Sequence, residues 1–580
     1  MKVAIIKKIE EEIDQYINDE CELSEGVRFS QYKLLKRLSL FQSQVYPKGK
    51  VDSQGNYKYW FDIIVPRINA EIKNIDFDTK DISIYSETSL KDRLAILLSN
   101  LFLKNWLYLR KKGEEINASV EGFSALGNIV WKKIKDGYEE VDLKNFYVLN
   151  QTAKTLEDSD VIERHILTQA DLRAKKKVWE NVDEVIKTCG NKFFKSTEKA
   201  TEFRTTTPFY EIYERNGEIS QKDFYEAKGK KGGGSEEKFV LAKVIVAGMK
   251  KAEGAGKYVL FVEEIKDKPY REAHRGKYEG RWLRKGLYET LFDCQTRANE
   301  IGNQIARGLE WASKTVFRTS DPTIVQNILT DIRSGDIIKT RDLAQVETRM
   351  QGLDQLVADW NRNIEHANEL ANSYEVVTGE SLPSGTPFRL GAMMNQNANK
   401  LFDFLREKLA IALEELFTSW ILPDIFKDLK KETVLDFTGN EEYLEDYYEI
   451  LVNAWYVNNL LNFPPHSTDQ ARILKSIKLE ELKKNKNASI KIEKGFWDKF
   501  KPRVKVVISG ESVNLMSELE TLYSFINLET DPVRRSYLID LAMAKKNIDV
   551  SGLPRMSPEQ LGGAVQPTSM MQGGAPVLTT

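Results

Sequence analysis

Asp223, Glu226 and Lys228, in KDFYEAKGKKGGG, form an acid, acid, lysine set of the kind by which metal-dependent nucleases hold Mg2+ and activate water. The spacing argues against that chemistry, because Asp223 stands too close to Glu226 for the usual placement of the two carboxylates on a hairpin. Chance is the better account, and the nuclease is kept as the enzyme-class rival. Two glycine-rich runs, AKGKKGGGSEE and AEGAGKYV, lack GxxxxGK[ST], and each leads into a β-rich run where a phosphate cradle needs a helix N-terminus. Lys228, Lys230 and Lys231 instead give a flexible hairpin tip local positive charge, which is either a solvated loop or a weak phosphate contact in a clip-like region. His165, His274, His366 and His466 lie in separate segments, with no HExxH and no cysteine nearby, and there is no GxSxG elbow. His165 and His366 sit in helical patterns among charges and read as surface or structurally satisfied. No catalytic, cofactor-binding or metal-ligating residue is expected.

The densest interleaving of basic and aromatic residues is REAHRGKYEGRWLRKGLYETLF, from Arg271 to Phe292. Nucleic-acid surfaces, sheet-to-helix junctions and subunit interfaces all share that composition. The interface is the favoured reading, with Arg271, Arg275, Arg281, Trp282 and Arg284 as its candidates.

These residues belong to a chain of 580 residues, enough for two to four domains, and 41% hydrophobic content provides for a sizeable core. With 85 Lys and Arg against 87 Asp and Glu, the net charge of -2 carries no polycationic signature, so any contact with nucleic acid is local. Cys21, Cys189 and Cys294 are odd in number and far apart, which fits neither a disulfide framework nor a paired metal site. The opening MKVAIIKKIEEEIDQYI lacks the apolar core of a signal peptide, and LAILLSNLFLKNWLYL is interrupted by Lys104, so it is expected to be a buried helix.

Periodicity predicts helices over KVAIIKKIEEEIDQYI, FSQYKLLKRLSLFQSQVY and LKDRLAILLSNLFLKNWLYLRKKG, the last with Gly113 as C-cap. Asp136-Gly137 marks a hairpin, and helix is expected from Asp160 to Phe194. FYEIYER, FVLAKVIVAGM and YVLFVEEI read as strands, and a second long helix runs from Gly286 to about Phe317. A further hairpin is expected around Ser334-Gly335-Asp336, then a helix over 353–375. Beyond Asp424 come helix, short strands near Ile490 and Val504, helices over 512–548 and a polar disordered tail. There is no repeat of solenoid period.

SLPSGTPFRLGAMMNQNAN, residues 381–399, raises a separate question. Pro383, Gly385 and Pro387 punctuate the chain, and apolar residues then recur at helical spacing through Leu401, Leu405, Leu409, Leu416 and Trp420 until Pro423. A helix of about 30 residues spans about 45 Å. A loop of restricted backbone therefore sits on the end of a long rod.

In its order of elements, and in PYREAHRGKYEGRWLRKGLYETLFDCQTRANEIGNQIA, NILTDIRSGDII and GESLPSGTPFRLGAMMNQNANKLFDFLREKL, the chain resembles the portal (head-to-tail connector) proteins of tailed bacteriophages. The portals of crAss-like and related short-tailed phages are the nearest likeness, which covers about the middle third of the chain well. The resemblance implies a predominantly helical α+β subunit with wing, stem, clip and small crown. The wing would be 1–159 and 318–510, the stem helices 160–194 and 287–317, the clip 195–286, the crown 511–550 and the disordered tail 551–580. Part of the clip span is long enough to belong to the wing. It further implies a homo-oligomeric ring of about a dozen copies at one capsid vertex of the virion, assembled in the host cytoplasm. Its partners would be the major capsid protein, the terminase large subunit, head-tail adaptor or neck proteins, and double-stranded DNA in the channel, with no membrane. The tunnel loop would be residues 376–391, with Pro383, Ser384, Gly385, Thr386, Pro387 and Arg389 as candidates, followed by a long helix over 392–421. Another neck or tail-hub structural protein is the alternative within the same class.

Overall fold

The computed structural model describes Lys2 to Val506 apart from residues 52–54, 77–81, 86–91, 136, 195–202, 231–233, 249–255, 314–315, 319–343, 347–351, 373–387, 430–432, 437–440, 460–467, 485–488, 493–496, 498–499 and 501. Beyond Val506 it describes residues 522, 524–526, 535 and 538, all helical. The chain divides into two units, 1–508 and 509–580. The first is α+β, with helix exceeding strand. Among the described residues no helix is long and apolar enough to cross a membrane.

Helix α1 (Lys2–Asn18) buries Ile5, Ile6, Ile9, Ile13 and Tyr16, a stripe at helical spacing. The hairpin β1 (Cys21–Ser24) and β2 (Val27–Phe29) leads to α2 (Gln31–Gln42), which the Ser30 hydroxyl caps by accepting from Lys33 N. Helix α3 (Val65–Ile75) and strand β3 (Ile82–Tyr85) precede α4 (Asp92–Leu109) and α5 (Lys112–Leu126). The helix expected to end at Gly113 breaks earlier. Lys111 takes the left-handed conformation with φ 50° between α4 and α5, and Gly113 falls in the first turn of α5.

The expected hairpin forms from β4 (Asn128–Ile134) and β5 (Gly137–Glu140), but Ile134 pairs with Gly137, so Gly137 already belongs to the strand; Asp136 lies outside the described residues. Next come β6 (Phe146–Val148), β7 (Val161–Thr168), α6 (Gln169–Lys175), α7 (Val182–Thr188) and β8 (Asn191–Phe194). The continuous helix expected over 160–194 is therefore overturned. Val161, Ile162, Ile166 and Thr168 are β-branched and pair along β9 (Phe203–Ser220), and Thr168 with Asp171 makes a capping box that starts a new helix.

After β9 the chain forms α8 (Gln221–Ala227), β10 (Phe239–Ala247) and β11 (Tyr258–Glu264), as the apolar runs predicted for the strands. These complete an antiparallel sheet of order β11-β10-β9-β7-β6, with β8 also pairing β9. The sheet thus crosses the boundary expected at residue 195. Strand β12 (Tyr270–His274) joins β4 and β5 in a separate three-stranded sheet. Helix α1 covers one face of the large sheet, held by Arg215, which donates to Glu12 at 2.8 Å and Asp160 at 2.6 Å. Helices α6 and α7 cover part of the other through Leu172, Val182 and Val185.

The second long helix is interrupted at Leu291, giving α9 (Leu287–Thr290) and α10 (Phe292–Ser313). The start of α9 meets the end of α5 backbone to backbone. A Cβ on Gly286 would lie 2.4 Å from the Ala125 carbonyl oxygen, and Gly127, at φ 82°, has the same crowding from the other side. Strands β13 (Val316–Arg318) and β14 (Ala344–Val346) pair, and the 334–336 hairpin lies outside the described residues.

Helix α10 also replaces a strand. Gln295, Asn299 and Asn303 accept from the backbone N–H of Ile63, Phe61 and Tyr59 at 2.8–2.9 Å. Gln295 and Asn303 donate back to the carbonyls of Phe61 and Tyr59 at 2.6 and 2.9 Å. Four helical residues rise about 6 Å and two extended residues about 6.6 Å, so one stripe of amides keeps step with every second peptide. Helix α11 (Leu353–Ala371), expected to 375, packs on α10 and closes over Phe61 with Trp360, ring centroids 5.5 Å apart.

Helix α12 (Phe388–Leu416) starts directly after Pro387, so the last residues assigned to the tunnel loop have helical backbone. It buries Phe402, Leu405, Leu409, Leu413 and Leu416 in the largest core, against α4, α5, β3 and β17 (Arg503–Val506). Pro423 does not end it. A π-helical turn over Phe417–Ile421 accommodates a residue with no N–H to give, and α13 (Leu422–Leu429) continues. Strand β15 (Thr433–Asp436), not expected from sequence, pairs with β16 (Ser489–Ile492), and α14 (Glu441–Asn458) and α15 (Thr468–Lys484) lie between them in sequence.

Candidate functional site

Of the tunnel-loop residues, Pro383, Ser384, Gly385, Thr386 and Pro387 lie outside the described residues, and Arg389 is placed only as a backbone position of α12. Lys228 and Lys230 lean over their own helix, 4.4 Å from the Phe224 ring and 6.0 Å from the Tyr225 ring. Lys231 is outside the described residues. Asp223 and Glu226 are three residues apart on α8, and Asp223 pairs with Lys8 of α1 at 3.5 Å. The structure brings no third ligand to them among the described residues.

The basic and aromatic segment is brought together, but inside the chain. Trp282 is fully buried and donates from Nε1 to Glu272 at 2.6 Å. Arg281 makes a two-pronged contact to Glu289 at 2.7 and 2.8 Å and lies over the Phe29 ring. Arg275 grips the buried Glu71 with two bonds of 2.7 Å. Arg284 covers Tyr278 and donates to the Lys154 carbonyl at 3.0 Å. Arg271 pairs with Glu415 of α12 at 3.4 Å and lies over Trp420. These residues lock the small sheet to α9 and α12. The guanidinium groups spend these donors on partners of the same chain, so the segment forms the sheet-to-helix junction that shares this composition.

Sequence reasoning passed over a different cluster. Glu163 of β7 stands directly opposite Glu214 of β9, and His165 follows two residues on, so all three share one sheet face. Lys132 of β4 reaches in between the carboxylates, 2.6 Å from Glu163 and 2.9 Å from Glu214, with the His165 Nε2 at 3.4 Å. Lys243 of β10 takes the other Glu214 oxygen at 2.8 Å. Tyr270, cross-strand partner of Lys132, donates its hydroxyl to Glu163 at 2.8 Å. Asn216 donates to Glu214 at 3.0 Å.

Burial opposes ionisation of Glu214, yet the His165 hydrogen bond and the two ammonium groups hold its carboxyl well below the usual range. Burial likewise works against the Lys132 charge, and Glu214 and Glu163 outweigh it and raise the ammonium. Tyr270 is pushed well up by burial and by both carboxylates, so it stays a donor. Glu163, His165 and Glu214 place three ligand atoms within 4.8 Å of one another, spacing that suits a divalent ion. Lys132 already stands between the carboxylates, and two ammoniums balance two carboxylates. A metal here would have to displace Lys132. What the arrangement does as it stands is tie the two sheets together by charge. The signal in sequence was VIERHILT read at period two, which puts Glu163 and His165 on one face.

No protein-family model matches the chain, and no curated protein matches it significantly in sequence.

Proposed function

We propose that the chain is a portal-type subunit of a tailed bacteriophage, one copy of a ring-shaped channel for packaging and ejecting double-stranded DNA. The observation that carries this reading is α12, a 29-residue helix that begins directly behind the Pro/Gly stretch and is locked at its far half into the largest core. A loop on such a rod is held by one end and projected by the other, which suits a channel constriction. Self-association draws support from the outer side of the same helix, where Phe404 and Ile411 are 51% and 58% exposed, opposite the buried stripe. A closed ring places that face against a neighbouring copy. One of the two expected stem helices is supported by α9 and α10; the span 160–194 is strand and short helix and does not serve as the other.

In this reading the capsid protein, terminase large subunit and head-tail adaptor are the partners, and the virion vertex is the location. The test is negative-stain electron microscopy and mass photometry of the purified chain. Rings of about a dozen copies with a hole wide enough for a duplex are expected; a monomer at every concentration overturns it. The nuclease rival draws no support from the geometry of Asp223, Glu226 and Lys228.

A further inference from the structure

The segment 46–61 interleaves basic and aromatic residues, Tyr46, Lys48, Lys50, Tyr57, Lys58, Tyr59 and Trp60. It doubles back with Val51 bridging Tyr57, and Tyr57 and Tyr59 stand 72% and 60% exposed. Between this segment and α10 lies a cleft of about 520 Å³. Its aromatic wall is Tyr46, Trp60 and Phe292, and its cations are Lys48, Lys58 and Arg307. Trp60 stands edge-on to Tyr46, ring centroids 5.2 Å apart, and Lys58 lies over the Tyr46 ring. The carboxylate in the wall, Glu300, is 3.4 Å from Arg297, which leaves the cleft net positive. The indole Nε1–H of Trp60 is buried without an acceptor among the described residues. The amide stripe of α10 fixes the whole wall, since Asn303 holds Tyr59 and donates to the Tyr46 hydroxyl at 3.1 Å.

We propose that this cleft binds a nucleobase carrying a phosphate. Flat rings offer stacking to any base, and cations beside them offer charge to the phosphate. The volume is in the range of small-ligand sites. No glycine-rich cradle is involved, and the inference holds whether or not the chain closes into a ring. The ligand chemistry is shared by a free nucleotide and by a single strand, and the test separates them.

The experiment uses the full chain and a fluorescein-labelled 12-mer of thymidylate, read by anisotropy across a salt series. Expected are a dissociation constant of ~10⁻⁴–10⁻⁶ M and a salt slope of about 0.7 per phosphate contacted. The double variant Lys48→Glu, Lys58→Glu should weaken binding at least ~10-fold, since each lost phosphate contact removes its counterion release, with an unchanged melting temperature. The control Lys7→Glu, Lys427→Glu, equal in charge change but on helices α1 and α13, should leave binding close to that of the native chain. Photocrosslinking of a 5-bromodeoxyuridine strand should mark Tyr46 or Trp60. Competition by free thymidine monophosphate assigns the cleft to single nucleotides, and its failure assigns it to strands. Absent binding, equal weakening by both double variants, or displacement of the strand by an acidic tyrosine-containing peptide but not by nucleotide, overturns the proposal; the last result gives the cleft to a protein partner.

Discussion

Two buried glutamates facing each other across adjacent strands repel unless something stands between them, and Lys132 does so. Removing it by Lys132→Met leaves two facing carboxylates with one ammonium, Lys243 on Glu214, and Glu163 without its own, and a loss of about 3–5 kcal/mol is expected in urea unfolding at neutral pH. Glu140 behaves oppositely. Burial first, then the carboxylates of Glu121, Asp142 and Glu115, push its carboxyl up to about 7, against a hydrogen bond from Ser119. The folded state binds the proton more tightly than the unfolded one, so the associated stability is full below the ordinary carboxylate range and is lost as pH rises through about 7. Glu140→Gln should therefore be more stable than the native chain at pH 8 by about 2 kcal/mol, and the advantage should vanish below pH ~4, where both states are protonated. Urea titrations at a series of pH values measure it. The composition of the arginine segment was legible in sequence; its partners were not. Glu71 and Glu415 come from distant parts of the chain, and spacing along the chain carries no record of them; Glu289 lies in the segment itself.

At the scale of elements, the backbone contact of Gly127 with Gly286 fixes where α5 ends and α9 begins. Gly286→Ala puts a methyl 2.4 Å from a carbonyl oxygen that belongs to a helix end and has little room to retreat. Overpacking of this kind costs about 1–3 kcal/mol, which calorimetry would read as a lowered melting temperature. The long amphipathic helices and the three apolar strands were legible because one period dominates each. Over 160–194 the apolar residues satisfy helical spacing by coincidence, and cross-strand pairing with β9 decides the outcome. The amide stripe of α10 was invisible for a related reason. Gln295, Asn299 and Asn303 read as the polar side of a helix, yet they are among its buried residues.

At the scale of the whole molecule, assembly is the property on which the proposed function stands. Phe404→Glu with Ile411→Glu alters two exposed positions and leaves the buried stripe of α12 intact. Mass photometry should show the ring population reduced at least ~10-fold if that face is shared between copies, as expected for charges placed at the core of an interface, with the melting temperature of the subunit within a few degrees of the native value.

The proposed ring would crowd many copies of this chain together, and any extended segment with idle peptide groups would then recruit the same segment of its neighbours. The stretch from Tyr59 to Ile63 is such a segment, but α10 occupies peptide groups of Tyr59 and Phe61 on both the donor and the acceptor side. The helix thereby acts as a permanent edge guard. It lets a bare extended strand lie along the outside of α10 without becoming a template for fibrous, open-ended association.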